Sequence, residues 1–210
     1  MKKKLSLGFL TGLFMLCLSG VTQATILYDQ NVTPDVIFGS GNANGYFAVD
    51  TENNIEVGLR AKLRKQGVYN SDGLGTYSFD AGPYTYTGFQ DIAMWNYEFS
   101  INVNLNGLTT DTLDDYDVYL LIDTDASLSI NWVTLNPFAV WDDNALGYNT
   151  TSNGGGDDSA TANTNYGDYY VAQNSQNLTW TLGSSLFDYN VSGTYDFALF
   201  VTEKDKSPRR

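Results

Sequence analysis

The run Trp95-Asn96-Tyr97-Glu98-Phe99-Ser100-Ile101-Asn102-Val103-Asn104 decides the fold. Apolar side chains hold every odd position and polar ones every even position. That period of two belongs to a strand with one face on a core and the other toward water or a second layer. Two further stretches repeat the pattern. Ile55, Val57, Leu59, Ala61 and Leu63 alternate with Glu56, Gly58, Arg60, Lys62 and Arg64. Tyr195, Phe197, Leu199 and Val201 alternate with Asp196, Ala198, Phe200 and Thr202. Shorter runs predict strands at 25–28, 46–49, 76–79, 118–123, 138–141, 169–173 and 178–182. Asn42-Ala43-Asn44-Gly45, Ser71-Asp72-Gly73 and Asn106-Gly107 supply turns between them. No heptad or helical stripe interrupts the series, and a parallel sheet would need crossover helices. The reading is therefore all-β: a single antiparallel β-sandwich or jelly-roll-like domain over residues 25–203, followed by a charged flexible tail at 204–210. The polar stretch 149–164, centred on Gly154-Gly155-Gly156-Asp157-Asp158, is expected to be a long exposed loop.

The first 24 residues read differently. Lys2, Lys3 and Lys4 precede an apolar run over 5–18, and Thr22-Gln23-Ala24 ends it with a small residue. This is the pattern of a signal peptide, with cleavage expected after Ala24 and a periplasmic, extracellular or cell-surface destination. The run is too short for a confident membrane span, and no second one follows, so no membrane insertion of the mature chain is expected. Cys17 lies inside the run and follows Leu16 rather than a small residue, which argues against lipidation. The cleaved chain would have no cysteine and no disulfide.

Composition then narrows the chemistry. With no histidine among 210 residues, the chain cannot build a Ser-His-Asp triad, a Cys-His pair or a histidine-ligated zinc site. Loss of Lys2, Lys3 and Lys4 leaves eight of the 11 basic residues against 24 acidic ones, a net charge of −16. Such a surface repels nucleic acid. The basic residues concentrate at Arg60, Lys62, Arg64 and Lys65 and at the C-terminus, so the first group reads as a charged strand face pairing with part of the acidic excess.

Three sets of residues are candidates for binding or catalysis. Asp111, Asp114, Asp115 and Asp117 precede a predicted strand, with Asp123 and Asp125 at its far end. Carboxylates crowded in a loop suit a hard cation, and calcium is the ion they point to, although the EF-hand spacing is absent. Asp142-Asp143-Asn144 and the Gly-rich loop are weaker versions of the same idea. Aromatic residues form the second set. Tyr84, Tyr86, Tyr169, Tyr170 and Trp180 could stack on the apolar face of a sugar ring, with amide and acidic side chains as hydroxyl partners. Glu56 and Glu98 form the third set, the best available pair for a glycosidase because both sit on polar strand faces.

Several segments taken together resemble a known family. They are the stretch from Val32 through Pro34 and Phe38 to Gly45, then Glu56 to Arg64, then Tyr69 to Phe79. Val140-Trp141-Asp142, Gly154 to Gly156, Val171 to Asn174 and Gly193 to Phe197 complete the set. The set is similar to exported bacterial proteins of the PEP-CTERM type, sorted by an exosortase. The resemblance implies an extracellular setting rich in exopolysaccharide and biofilm, and it supplies no catalytic residue. This sequence ends Thr202-Glu203-Lys204 and a short charged stretch, without the family's sorting motif. The expected function is a non-enzymatic exported protein associated with polysaccharide or other matrix proteins, with calcium stiffening its acidic loops. A small carbohydrate-active enzyme using Glu56 or Glu98, or a purely structural surface protein, is the alternative.

Overall fold

The structure, a computed structural model, describes residues 25–85, 91–157, 165–183 and 185–204. The expected signal peptide and the tail after Lys204 lie outside these residues. Among the described residues nine strands run in chain order: β1 (Leu27–Gln30), β2 (Phe47–Glu52), β3 (Ile55–Leu63), β4 (Trp95–Asn102), β5 (Tyr116–Asp123), β6 (Trp132–Leu135), β7 (Ala145–Gly147), β8 (Val171–Gln176) and β9 (Phe197–Glu203). They form two antiparallel sheets, one of six strands in the order β1-β2-β3-β4-β8-β7 and one of three in the order β6-β5-β9. The all-β, sandwich-like reading is therefore correct.

The core lies between the sheets. Tyr97, Phe99 and Ile101 of β4 meet Val118, Leu120 and Ile122 of β5 and Leu199 of β9, all buried. Phe99, Leu120 and Ile122 are fully inaccessible, and each contributes about 1.5–3 kcal/mol by leaving water. β2 and β3 are joined by a two-residue turn at Asn53 and Asn54, both at positive φ (50° and 69°). This is the hairpin geometry whose twist matches the strands, and asparagine tolerates it.

Two short predicted strands are instead helical turns. Residues 138–140 fall in α1 (Pro137–Val140), which Trp141 ends in extended conformation, and residues 178–182 form α2 (Leu178–Leu182). Each starts at an asparagine whose side chain accepts an early backbone N–H: Asn136 from Phe138, and Asn177 from Thr179. Pro137 sits at the first helical position, where its missing N–H costs nothing. Leu178 and Leu182, one turn apart, both face the core. Residues 76–79 make no strand and only the isolated bridge Ser71–Tyr77.

The largest departure concerns the polar faces. On β3 the polar members Glu56, Arg60 and Lys62 are buried, whereas apolar Val57, Leu59 and Ala61 are only half-buried. The β4 positions Asn96, Glu98, Ser100 and Asn102 are buried as well. A layer of irregular chain, residues 32–45, covers this face, and side chains of the sheet bond its backbone. Glu56 accepts from Thr33 N (2.6 Å), Gln173 from Ile37 N (2.8 Å), and Asn102 donates to Thr33 O (3.1 Å). The Gly-rich stretch packs on the same layer: Gly154 N donates to Val36 O and Gly156 N to Ile37 O. A Cβ on Gly156 would come within 2.9 Å of Ile37 O, so glycine is required there. Residues 153–157 are thus docked rather than freely exposed, because their backbone groups pair with this layer and with Leu146.

Candidate functional site

The acidic loop before β5 does not close into a cage. Leu113–Asp115 forms a 3-10 turn, and the Asp115 carboxylate caps it by accepting from Thr112 N (3.0 Å) and Thr112 Oγ1 (3.2 Å). Asp111 hydrogen-bonds the Tyr116 hydroxyl; burial, with Asp111 and Glu203 adding to it, pushes that hydroxyl up to about 12. Asp117 lies within β5 opposite Thr202. The exposed Asp114 offers its backbone oxygen to Lys204 Nζ (2.9 Å), which ties down the first residue of the expected tail. Asp123 and Asp125 cap a turn through Asn131 N and Ser127 N. Among the described residues no three carboxylates converge on a common point. Of the four carboxylates that the sequence suggested for calcium, Asp115 is taken up in turn bonding and Asp111 by the Tyr116 hydroxyl.

Glu56 and Glu98 are also occupied. Glu98 is fully buried and held by Arg60 Nε at 2.6 Å and Lys62 Nζ at 2.8 Å. The Arg60 guanidinium lies between the rings of Phe47 (4.1 Å) and Tyr69 (4.8 Å), and also donates to Ala43 O and Gly45 O. Arg60 and Lys62 of the basic stripe thus pair with an acid, but inside the molecule. Arg60 stands opposite Glu98, which places Glu56 four residues further along the adjacent strand. At about 3.3 Å per residue the two acids are roughly 13 Å apart, beyond the 5–9.5 Å that glycoside hydrolysis uses.

The aromatic candidates do not lie together. Tyr84 is buried, beside Arg64. Tyr86 lies outside the described residues. Trp180, on α2, is 46% exposed, but the Arg64 guanidinium covers one ring face at 4.6 Å. Tyr169 and Tyr170 stand before β8, at the end opposite α2. The six residues of β8 put about 20 Å between them and Trp180.

Tyr169 and Tyr170 acquire a partner that the sequence reading missed. Pairing of β7 with β8 brings in Tyr148, whose ring centroid lies 5.2 Å from Tyr169 and 5.3 Å from Tyr170. All three hydroxyls are tied to the protein. Tyr148 donates to Asp168 O (2.9 Å), Tyr169 donates to the Asp157 carboxylate, and Tyr170 accepts from Asn149 N (3.1 Å). The bond to Asp157 pushes the Tyr169 hydroxyl up to about 12. Partial burial, with Asp168 and Asp157 nearby, raises that of Tyr148. The rings are held in place while Tyr148 stays 39% exposed and the other two half-buried. Exposed Asp157 and Asp168 stand at the edge of this platform.

A second feature is a groove of about 660 Å³ between the sheets, beside β9. Its floor is the half-buried apolar face of β2 and β3, including Ala48, Val57 and Leu59. The loop around Tyr77 and the stretch 189–196 complete its walls. No family model matches this chain, and no curated protein or solved structure is detectably similar to it.

Proposed function

We propose that the chain is an exported, non-catalytic polysaccharide-binding protein of the extracellular matrix, and that Tyr148, Tyr169 and Tyr170 form its sugar-stacking surface. The observation that carries this reading is the platform itself: three tyrosines with fixed hydroxyls, one open ring and two carboxylates at the edge. A pyranose presents an apolar C–H face that stacks on such rings, while its hydroxyls donate to carboxylates. The high negative charge favours neutral or cationic polymers over anionic ones. The acidic pair at Glu56 and Glu98 supports no hydrolysis, because both groups are bound up and too far apart.

The test is retention of the exported chain on beads carrying neutral extracellular polysaccharide from the producing cells. Tyr148→Ala should weaken retention about tenfold, the effect of losing roughly 1.4 kcal/mol of stacking. Equal retention by wild type and Tyr148→Ala, at equal melting temperature, would refute the assignment.

A further inference from the structure

The groove beside β9 carries an inference of a different class, independent of the tyrosine platform. β9 is an edge strand. Asp123 N donates to Asp196 O and Lys204 N to Asp115 O, so even-numbered residues of this strand turn their backbone groups toward β5. The odd ones, Phe197, Leu199, Val201 and Glu203, turn theirs away, and among the described residues no backbone group pairs with them. β3 runs beneath β9, and β2 and β1 continue the large sheet past it. A row of unpaired donors and acceptors therefore overlooks an apolar floor.

The floor has one polar member. Asp50 of β2 lines the groove, and its Oδ1 is buried with no hydrogen-bond partner. Asp80 and Asp196 line it as well. The nearest strand cation, Arg60, has its guanidinium on the opposite face, between Phe47 and Tyr69. The groove is thus acidic, and its floor is aliphatic, while hydroxyl side chains such as Thr76, Tyr77, Ser78 and Thr194 stand on its walls.

A second folded copy does not fit this edge. Pairing β9 with its counterpart would drive the partner's own six-stranded sheet into the layer that β1 and β2 occupy. These two strands overhang by about 10 Å. A single extended segment needs only about 4.8 Å beside β9 and brings no second layer.

We infer that this groove binds an extended polypeptide segment of a partner protein, added as a fourth strand beside β9. Alternate small apolar side chains face Ala48 and Val57, and a lysine or arginine reaches Asp50. Backbone bonds to the odd residues of β9 supply affinity, and the floor supplies selectivity.

The probe is a fluorescein-labelled peptide, Thr-Val-Thr-Val-Thr-Lys-Thr, titrated into the exported chain and read by fluorescence anisotropy. Saturable binding is expected, with slowed amide exchange at Leu199 and Val201. Ala48→Trp fills the floor and should weaken binding at least about tenfold. Asp50→Asn should weaken the lysine peptide but leave unchanged a control with valine in place of lysine. The Asp50 comparison and the exchange measurement stand even if Ala48→Trp fails to fold. Absence of saturable binding, or undiminished binding to folded Ala48→Trp, would overturn the inference. Loss of polysaccharide retention in Ala48→Trp but not in Tyr148→Ala would give the groove to a glycan instead. Self-association abolished by Ala48→Trp in sedimentation would give it to a second copy. Failure of Tyr148→Ala to change polysaccharide retention bears only on the platform.

Discussion

Replacing Glu98 by glutamine tests the buried face of the large sheet most directly. Glu98 is fully inaccessible and the common partner of two cations, Arg60 at 2.6 Å and Lys62 at 2.8 Å. Their side chains are 0% and 6% exposed, so water cannot replace the lost carboxylate. Arg60 keeps Ala43 O, Gly45 O and two ring faces, and Lys62 keeps Asn42 Oδ1 at 2.7 Å. These neutral partners do not balance two positive charges. Removing one member of a buried ion pair costs about 3–5 kcal/mol, and the introduced glutamine retains shape and one acceptor, so about 3 kcal/mol is expected. That is a large part of the 5–15 kcal/mol typical of a domain. Urea unfolding should show the midpoint lowered at constant m-value. The loss should change little between low and high salt, because buried charges are poorly screened. A cost below about 1 kcal/mol for Glu98→Gln would show that this face is wetter than its burial implies, and the reasoning would fail.

Other outcomes follow from the same geometry. Phe99→Ala should cost about 3–5 kcal/mol in the same urea assay, against under about 1 kcal/mol if the side chain were outside the core. Burial raises the Glu56 carboxyl above its ordinary 4.5, despite two bonds from Thr33 that oppose the rise. Its favourable contribution is therefore complete below about pH 4.5 and is lost as pH climbs through the raised value, so stability should fall across that window. Glu56→Gln should flatten this part of the profile, and an unchanged slope would exclude Glu56 as its source. Calcium and a chelator should give melting temperatures within about 1 °C of each other, since no three carboxylates converge among the described residues and Asp115 and Asp111 are taken up by Thr112 and Tyr116. A rise of several degrees would reveal a cage that the described residues do not form.

The period-two runs made β3, β4 and β9 legible, because nine, eight and seven residues are long enough for alternation to stand out. β6 and β7, at four and three residues, are too short for any period to show. The same brevity hid α1 and α2, although Asn136-Pro137 and the spacing of Leu178 and Leu182 were readable as a cap and a turn. Alternation also cannot say which face is the more deeply buried. On β3 the answer came from residues 32–45, far away in sequence, which lie on the polar side. The site shows the same limit. Tyr169 and Tyr170 are adjacent and were visible as a pair, whereas Tyr148 joins them only through the β7–β8 register.

The buried polar face has a physical logic that the sequence pattern already contained. An irregular segment packed on a sheet cannot pair its backbone with itself, and unpaired buried amides and carbonyls are costly. Here the sheet's side chains act as the missing partner. Gln173 serves both Ile37 N and Asp35 O, Arg60 serves Ala43 O and Gly45 O, and Glu56 and Asn102 serve the two sides of Thr33. Polar residues at even positions of β3 and β4 are therefore a template for a particular covering segment, and alanine at Glu56, Arg60 or Asn102 would orphan a backbone group as well as a side chain. The consequence for function lies on the other face. The polar side of the sheet is closed by this segment, whereas the apolar side is covered by only three strands against six. The uncovered remainder, Ala48, Val57 and Leu59 beneath the free edge of β9, is where the molecule still has both apolar surface and backbone valence to offer a partner.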